Sequence, residues 1–224
     1  MQVAALVTGG KDSTLALYRA LKQDYEVTHL VTMIPQRGDS WMFHSINIHL
    51  TDLFAKAVGI PLVKNKTSGI KEMELKDLKA LLATLHIEGV ISGAILSHYQ
   101  KERIDRICRE LNLRSIAPLW GQSPLRLLKE IIESDFETII VGVYAYGFDH
   151  SWIGKRIDLS TLDDLIRLKR KYQVSIVGEG GEYETLVLDA PLFTKRIELL
   201  QVEKTWENHS GHLLVKKAKL TDKG

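Results

Sequence analysis

Lys11, Asp12 and Ser13 stand side by side after Thr8, Gly9 and Gly10, in the stretch TGGKDSTLAL that follows the apolar run VAALV. A cation, two hydroxyls and a glycine pair, where a strand gives way to a helix, are the ingredients of an anion site. Glycines let main-chain N–H groups approach a ligand that no side chain shields. A helix N-terminus adds about half a positive charge. The anion that suits such a turn is a phosphate, with Lys11 expected as an exposed ligand. Counting excludes two common phosphate loops. A Walker A loop needs glycine ahead of its Gly-Lys pair and Ser or Thr directly after it, but Ala5 and Asp12 hold those places. The dinucleotide fingerprint fails too, because positions 9, 11 and 14 read Gly, Lys and Thr.

A second constellation lies in VGEGGEYETLVLDAPLF, where Gly180 and Gly181 sit among Glu179, Glu182 and Glu184. If this segment runs extended, Glu182 and Glu184 project to one side and Tyr183 to the other. Carboxylates so close call for a cation: Mg2+, ammonium or a trimethylammonium group. A solvated acidic turn is the plain alternative. A third stretch, SGAILSHYQKER, offers Gly93 for close approach to a ligand, Ser97 as a helix cap, and Tyr99, Gln100 and Arg103 on the helix that follows. These last three read equally well as an exposed helical face.

The elements that must position these groups alternate. Strands are expected at 3–7, 26–33, 62–64, 89–92 and 114–116, with amphipathic helices at 14–21, 47–58, 72–85 and 99–111 between them. Gly59 and Pro61 close the second helix. This order implies a doubly wound parallel sheet with ligands beyond the carboxyl ends of its strands. Pro118, Gly121 and Pro124 cluster where the pattern changes, dividing the chain into residues 1–123 and 124–224. The second part reads as a smaller α+β domain. It comprises a helix at 124–134, a strand at 137–146, a helix at 160–172 capped by Ser160, and a hairpin of 196–206 with 212–220.

Composition narrows the class. Thirty Lys plus Arg against 28 Asp plus Glu leave a formal charge of +2, which argues against a nucleic-acid partner. No apolar run approaches the ~20 residues of a membrane span, and no secretory leader precedes the first strand. No membrane association and a cytoplasmic location are therefore expected. The one cysteine, Cys108, falls on a helical apolar face and is expected to be a buried structural thiol. Oligomeric state is not decided, and a homodimer stays open.

The loop at residues 8–13 resembles the Ser-Gly-Gly-x-Asp-Ser pyrophosphate loop of the ATP pyrophosphatase (PP-loop) superfamily, with Thr8 in place of the first serine. Taken in order, TGGKDS, GAILSHYQKER, PLWG, YGFDHSWIG and GEGGEYETLVLDAPLF resemble the diphthine-ammonia ligase family in its short archaeal-type form, over nearly the whole chain. The resemblance implies a sheet of the adenine nucleotide alpha hydrolase (HUP) type, with ATP and Mg2+ as cofactors. It further implies amidation of diphthine on translation elongation factor 2, through an acyl adenylate that ammonia attacks. Thr8, Gly9, Gly10, Lys11, Asp12 and Ser13 would hold the phosphates, with Gly93 and Gln100 as further nucleotide contacts. Asp12 is left between a metal and the loop's own amides, and the metal ligands stay unassigned. Lys11, Asp12, Ser13, Glu182 and Glu184 are the expected catalytic set. Glu179, Gly180, Gly181, Glu182, Tyr183 and Glu184, with Trp120 and Trp41, would receive diphthine. Its trimethylammonium group calls for aromatic faces and carboxylates, expected to share a cleft with the phosphate loop.

Ammonia is expected to be free, because Cys108 lies in a helix pattern and Met1 runs directly into a strand, leaving no glutaminase nucleophile. Two other readings remain open. A PP-loop enzyme could adenylate a tRNA base, although sulfur-transfer versions commonly use paired cysteines. A noncatalytic adenine-nucleotide module would bind ATP without making AMP.

Overall fold

Two compact units, Met1–Trp120 and Gly121–Gly224, make up the computed structural model. It describes residues 1–36, 46–68 and 70–224. Trp41 lies outside the described residues.

In the first unit β1 (Gln2–Leu6), β2 (Glu26–Pro35), β3 (Leu62–Thr67), β4 (Gly89–Ile91) and β5 (Arg114–Ile116) form one sheet in the order β3-β2-β1-β4-β5. Every pairing is parallel. The helices between the strands are α1 (Lys11–Lys22), α2 (Thr51–Val58), α3 (Lys71–Leu82) and α4 (His98–Glu110). Alternation along β1 explains the two layers. Ala4 belongs to a core with Leu75, Leu78 and Leu82 of α3 and Ile104, Ile107 and Cys108 of α4. Val3 and Ala5, equally buried, point the other way. This is the expected HUP-type sheet. Its order reverses between β1 and β4, the switch point at which ligands bind in doubly wound folds.

Boundaries moved where local chemistry outweighed periodicity. Helix α1 begins at Lys11 rather than near residue 14, so Lys11, Asp12 and Ser13 form its first turn. Helix α2 is preceded by a 3-10 turn at Ile48–Leu50 and ends at Gly59 with φ 78°, the left-handed stop that its sequence foretells.

The second unit is an antiparallel sheet with two helices. Its strands β6 (Glu137–Val143), β7 (Tyr183–Asp189), β8 (Arg196–Glu207) and β9 (Ser210–Thr221) lie in the order β7-β6-β9-β8. Helix α5 (Pro124–Glu133) buries Leu127, Leu128 and Ile131. Helix α6 (Leu159–Tyr172) buries Thr161, Leu162 and Leu165. The cap of α6 is Asp158, whose carboxylate accepts the Thr161 N–H at 2.8 Å, and Ser160 falls inside the first turn. A carboxylate is the stronger acceptor and also favours the positive helix end. No helix among the described residues is long and apolar enough to cross a membrane.

Candidate functional site

Strand β1 delivers Val7 and Thr8 to the carboxyl edge of the sheet, and Gly9 turns the chain with φ 83°. Gly10 is the N-cap of α1 and has no side chain with which to cap it. Its ladder opens with Thr14 N–H donating to the Gly10 carbonyl at 3.1 Å. The amides of residues 11–13 therefore stand at the helix end, ahead of the ladder. Hydroxyls stiffen the turn. Thr8 Oγ1 accepts from Gly10 N–H at 3.4 Å, and Ser13 Oγ donates to the Gly10 carbonyl at 3.1 Å.

Lys11 departs from its expected exposure. It is only 2% exposed, and Nζ sits 2.8 and 3.0 Å from the Asp12 carboxylate oxygens. The buried stem and this charge-assisted contact fix the ammonium beside the turn, so it is a placed cation rather than a free arm.

Gly93, at the end of β4, meets this turn from the far side of the switch point. A Cβ there would lie 2.8 Å from Ser13 N and 2.9 Å from Asp12 C. The close approach foreseen at Gly93 is thus made to the loop's own backbone. Beside it the Ser92 hydroxyl is buried, with no hydrogen-bond partner among the described residues. Ser97 caps α4 as expected, its Oγ accepting from Gln100 N–H at 3.3 Å. Gln100 and Tyr99 are partly buried. Arg103 stacks over the Tyr99 ring at 3.5 Å and donates to the Tyr99 carbonyl at 3.1 Å, which makes it a brace of α4. Trp120 packs edge-on against His98, and Lys101 Nζ lies 5.4 Å from its ring centroid, so one cation partner is already in the chain.

In the second unit the acidic segment turns tightly. Gly178 N–H donates to the Ser175 carbonyl and Gly181 N–H to the Gly178 carbonyl, both at 3.1 Å. Glu179 is partly buried and Gly180 exposed. Glu182 accepts the Ser175 N–H at 3.0 Å through Oε1, while Oε2 is buried with no hydrogen-bond partner among the described residues. Tyr183 does not offer its face to a cation. It is 3% exposed, its hydroxyl donates to the Ile176 carbonyl at 2.6 Å, and its ring packs 6.0 Å from Phe148. Phe148 in turn meets Trp152, so YGFDHSWIG supplies the floor under Tyr183. Glu184 is partly buried and pairs in register with Gly142 of β6.

Tyr144, which none of the sequence motifs singles out, is 43% exposed and its N–H donates to the Glu182 carbonyl of this segment. A glycine inside a strand marks a close approach, and Gly142 was the available pointer to it. No group of three or more His, Cys, Asp or Glu side chains that could hold a metal occurs among the described residues.

Cys108 is buried, as expected of a structural thiol. Burial first, then the charge of Asp105, pushes the thiol up to about 11, so it is not a nucleophile at neutral pH.

The comparisons agree with these two units. The diphthamide synthase N-terminal domain matches residues 1–115, and the diphthamide synthase C-terminal domain matches residues 123–221. The diphthine–ammonia ligase of Rattus norvegicus is 38% identical over 88% of this chain and 82% of its own length. That of Homo sapiens is 36% identical over the same shares. The Schizosaccharomyces pombe ligase is 35% identical over 98% of this chain, which spans 39% of that longer protein. A solved structure described as a predicted subunit of tRNA methyltransferase from Methanocaldococcus jannaschii covers 85% of this chain at 18% identity and a TM-score of 0.45, a likeness too slight to carry an argument. With both domains matched and relatives named diphthine–ammonia ligases spanning most of its length, the chain belongs to the diphthamide synthase family.

Proposed function

We propose that this chain amidates diphthine on translation elongation factor 2, coupling ATP cleavage between its α and β phosphates to formation of a carbon–nitrogen bond. A carboxylate resists ammonia because its oxygen is a poor leaving group. In the proposed sequence a diphthine carboxylate oxygen attacks the α phosphorus, pyrophosphate departs, and an acyl adenylate remains. Ammonia then attacks the acyl carbon, AMP leaves with the carboxylate oxygen, and the nitrogen gives up a proton.

The observation that carries this reading is the turn at the switch point. Gly9, Gly10, the helix start at residues 11–13, the side chains of Thr8 and Ser13 and the seated Lys11 ammonium are the groups proposed to hold the phosphates. Fixed donors of this kind stabilise charge developing on departing pyrophosphate without reorganising. Mg2+, which is commonly held by substrate phosphates and one or two carboxylates, would supply further neutralisation of the phosphates, with Asp12 as the loop's carboxylate. In the second unit, Glu184 and the buried Glu182 oxygen are the acidic groups proposed to face diphthine or ammonium. The test is incubation with ATP, ammonium and diphthine-bearing elongation factor 2, followed by mass measurement of that protein. Conversion of the carboxylate to the amide is expected, and an unchanged mass contradicts the reading.

A further inference from the structure

Tyr144 is seated in an unusual way. Its side chain folds back along β6 until a Cβ on Gly142 would lie 2.4 Å from the phenol oxygen and 2.9 Å from Cζ. Only glycine leaves room for this ring. Gly142 is the cross-strand partner of Glu184, so the ring lies beside that acid on one face of the sheet. The Tyr144 N–H donates to the Glu182 carbonyl at 2.9 Å, which ties the same residue to the acid on the other side of Tyr183. With the hydroxyl end covered over Gly142, 43% of the residue still meets solvent. A part-exposed ring held over Gly142, with the Glu184 carboxylate on the neighbouring strand, suits a cation that cannot donate N–H bonds.

We infer that Tyr144, backed by Gly142 and flanked by Glu184, is the aromatic face that binds the quaternary ammonium group of the substrate. The inference rests on the diphthine reading above and names the residue that recognises its trimethylammonium. The site takes over the role that the sequence suggested for Tyr183. Burial of the hydroxyl end, with the Glu184 charge second, raises the phenol well above the usual tyrosine range, so the ring stays neutral beside the acid.

Tyr144→Leu should raise KM for diphthine-bearing elongation factor 2 by roughly tenfold, with KM for ATP and the melting temperature unchanged. Tyr144→Phe keeps the face and should behave as wild type. Choline should compete with the protein substrate, shift the Tyr144 ring protons, and lose both effects in Tyr144→Leu. Its neutral carbon isostere should do neither. Equal KM values for wild type and Tyr144→Leu, or equal effects of choline and the isostere, would overturn the inference. A wild type that binds choline at Tyr144 yet never amidates diphthine would support the cation site and sink the ligase reading.

Discussion

Gly93 rests directly on the Ser13 amide, backbone against backbone, at a distance where any Cβ would intrude to 2.8 Å of the nitrogen. The contact joins the turns after β1 and β4 across the switch point, so the turn at residues 8–13 is held in shape by the neighbouring strand's exit. Gly93→Ala must displace the first turn of α1. Misplacement of that kind can cost about 100-fold in rate. AMP formation is expected to fall by that order while circular dichroism stays native. Wild-type turnover would show that the loop needs no such support.

Lys11→Ala should abolish most turnover, by at least about 100-fold, because it removes a preorganised donor. Since Lys11 is buried against Asp12, the variant should also melt a few degrees lower, at roughly 2–4 °C per kcal/mol for a chain of this size. Single-turnover AMP release and a melting curve separate the two effects. Full activity would remove Lys11 from the phosphate site.

Tyr183→Phe should cost about 1 kcal/mol of stability, the typical worth of one hydrogen bond, by orphaning the Ile176 carbonyl. KM values should stay near wild type. Urea melts and steady-state kinetics read both quantities. A stable variant with weakened use of diphthine would return Tyr183 to the substrate site.

The stability of the fold should depend on pH through Cys108. Its thiol, raised from 9.0 to about 11 in the folded state, is protonated there when the unfolded chain has already ionised. Its contribution is therefore complete below about 9 and is lost as pH rises towards about 11. Wild type should lose stability more steeply across that window than Cys108→Ala, which should be about 1 kcal/mol weaker at neutral pH from the small cavity and should amidate normally. Parallel pH–stability curves would contradict the assignment, and selective loss of turnover would revive a thiol mechanism.

The β1-to-β5 alternation, the glycine turn after β1 and the Gly59 stop are local and legible in the sequence, and β5 falls at its expected residues. The start of α1 was missed because Lys11, Asp12 and Ser13 carry no apolar period, although they obey helix geometry. Alternation along β7 correctly opposes Tyr183 to Glu184, but it cannot say which face Phe148 covers. That side is decided by residues some 35 positions away (148 against 183), so Tyr183 is buried while Tyr144 is 43% exposed. The burial of Lys11 was likewise invisible, since a lysine in a glycine turn reads as an arm until its stem is packed.

On the proposed function ATP is cleaved at the α–β bond in step with amide formation. Nucleotide products and the mass of elongation factor 2 should be followed together in one reaction with ammonium. AMP, pyrophosphate and the amide appearing in equal amounts is the expected result; ADP with phosphate, or AMP without the amide, would contradict it.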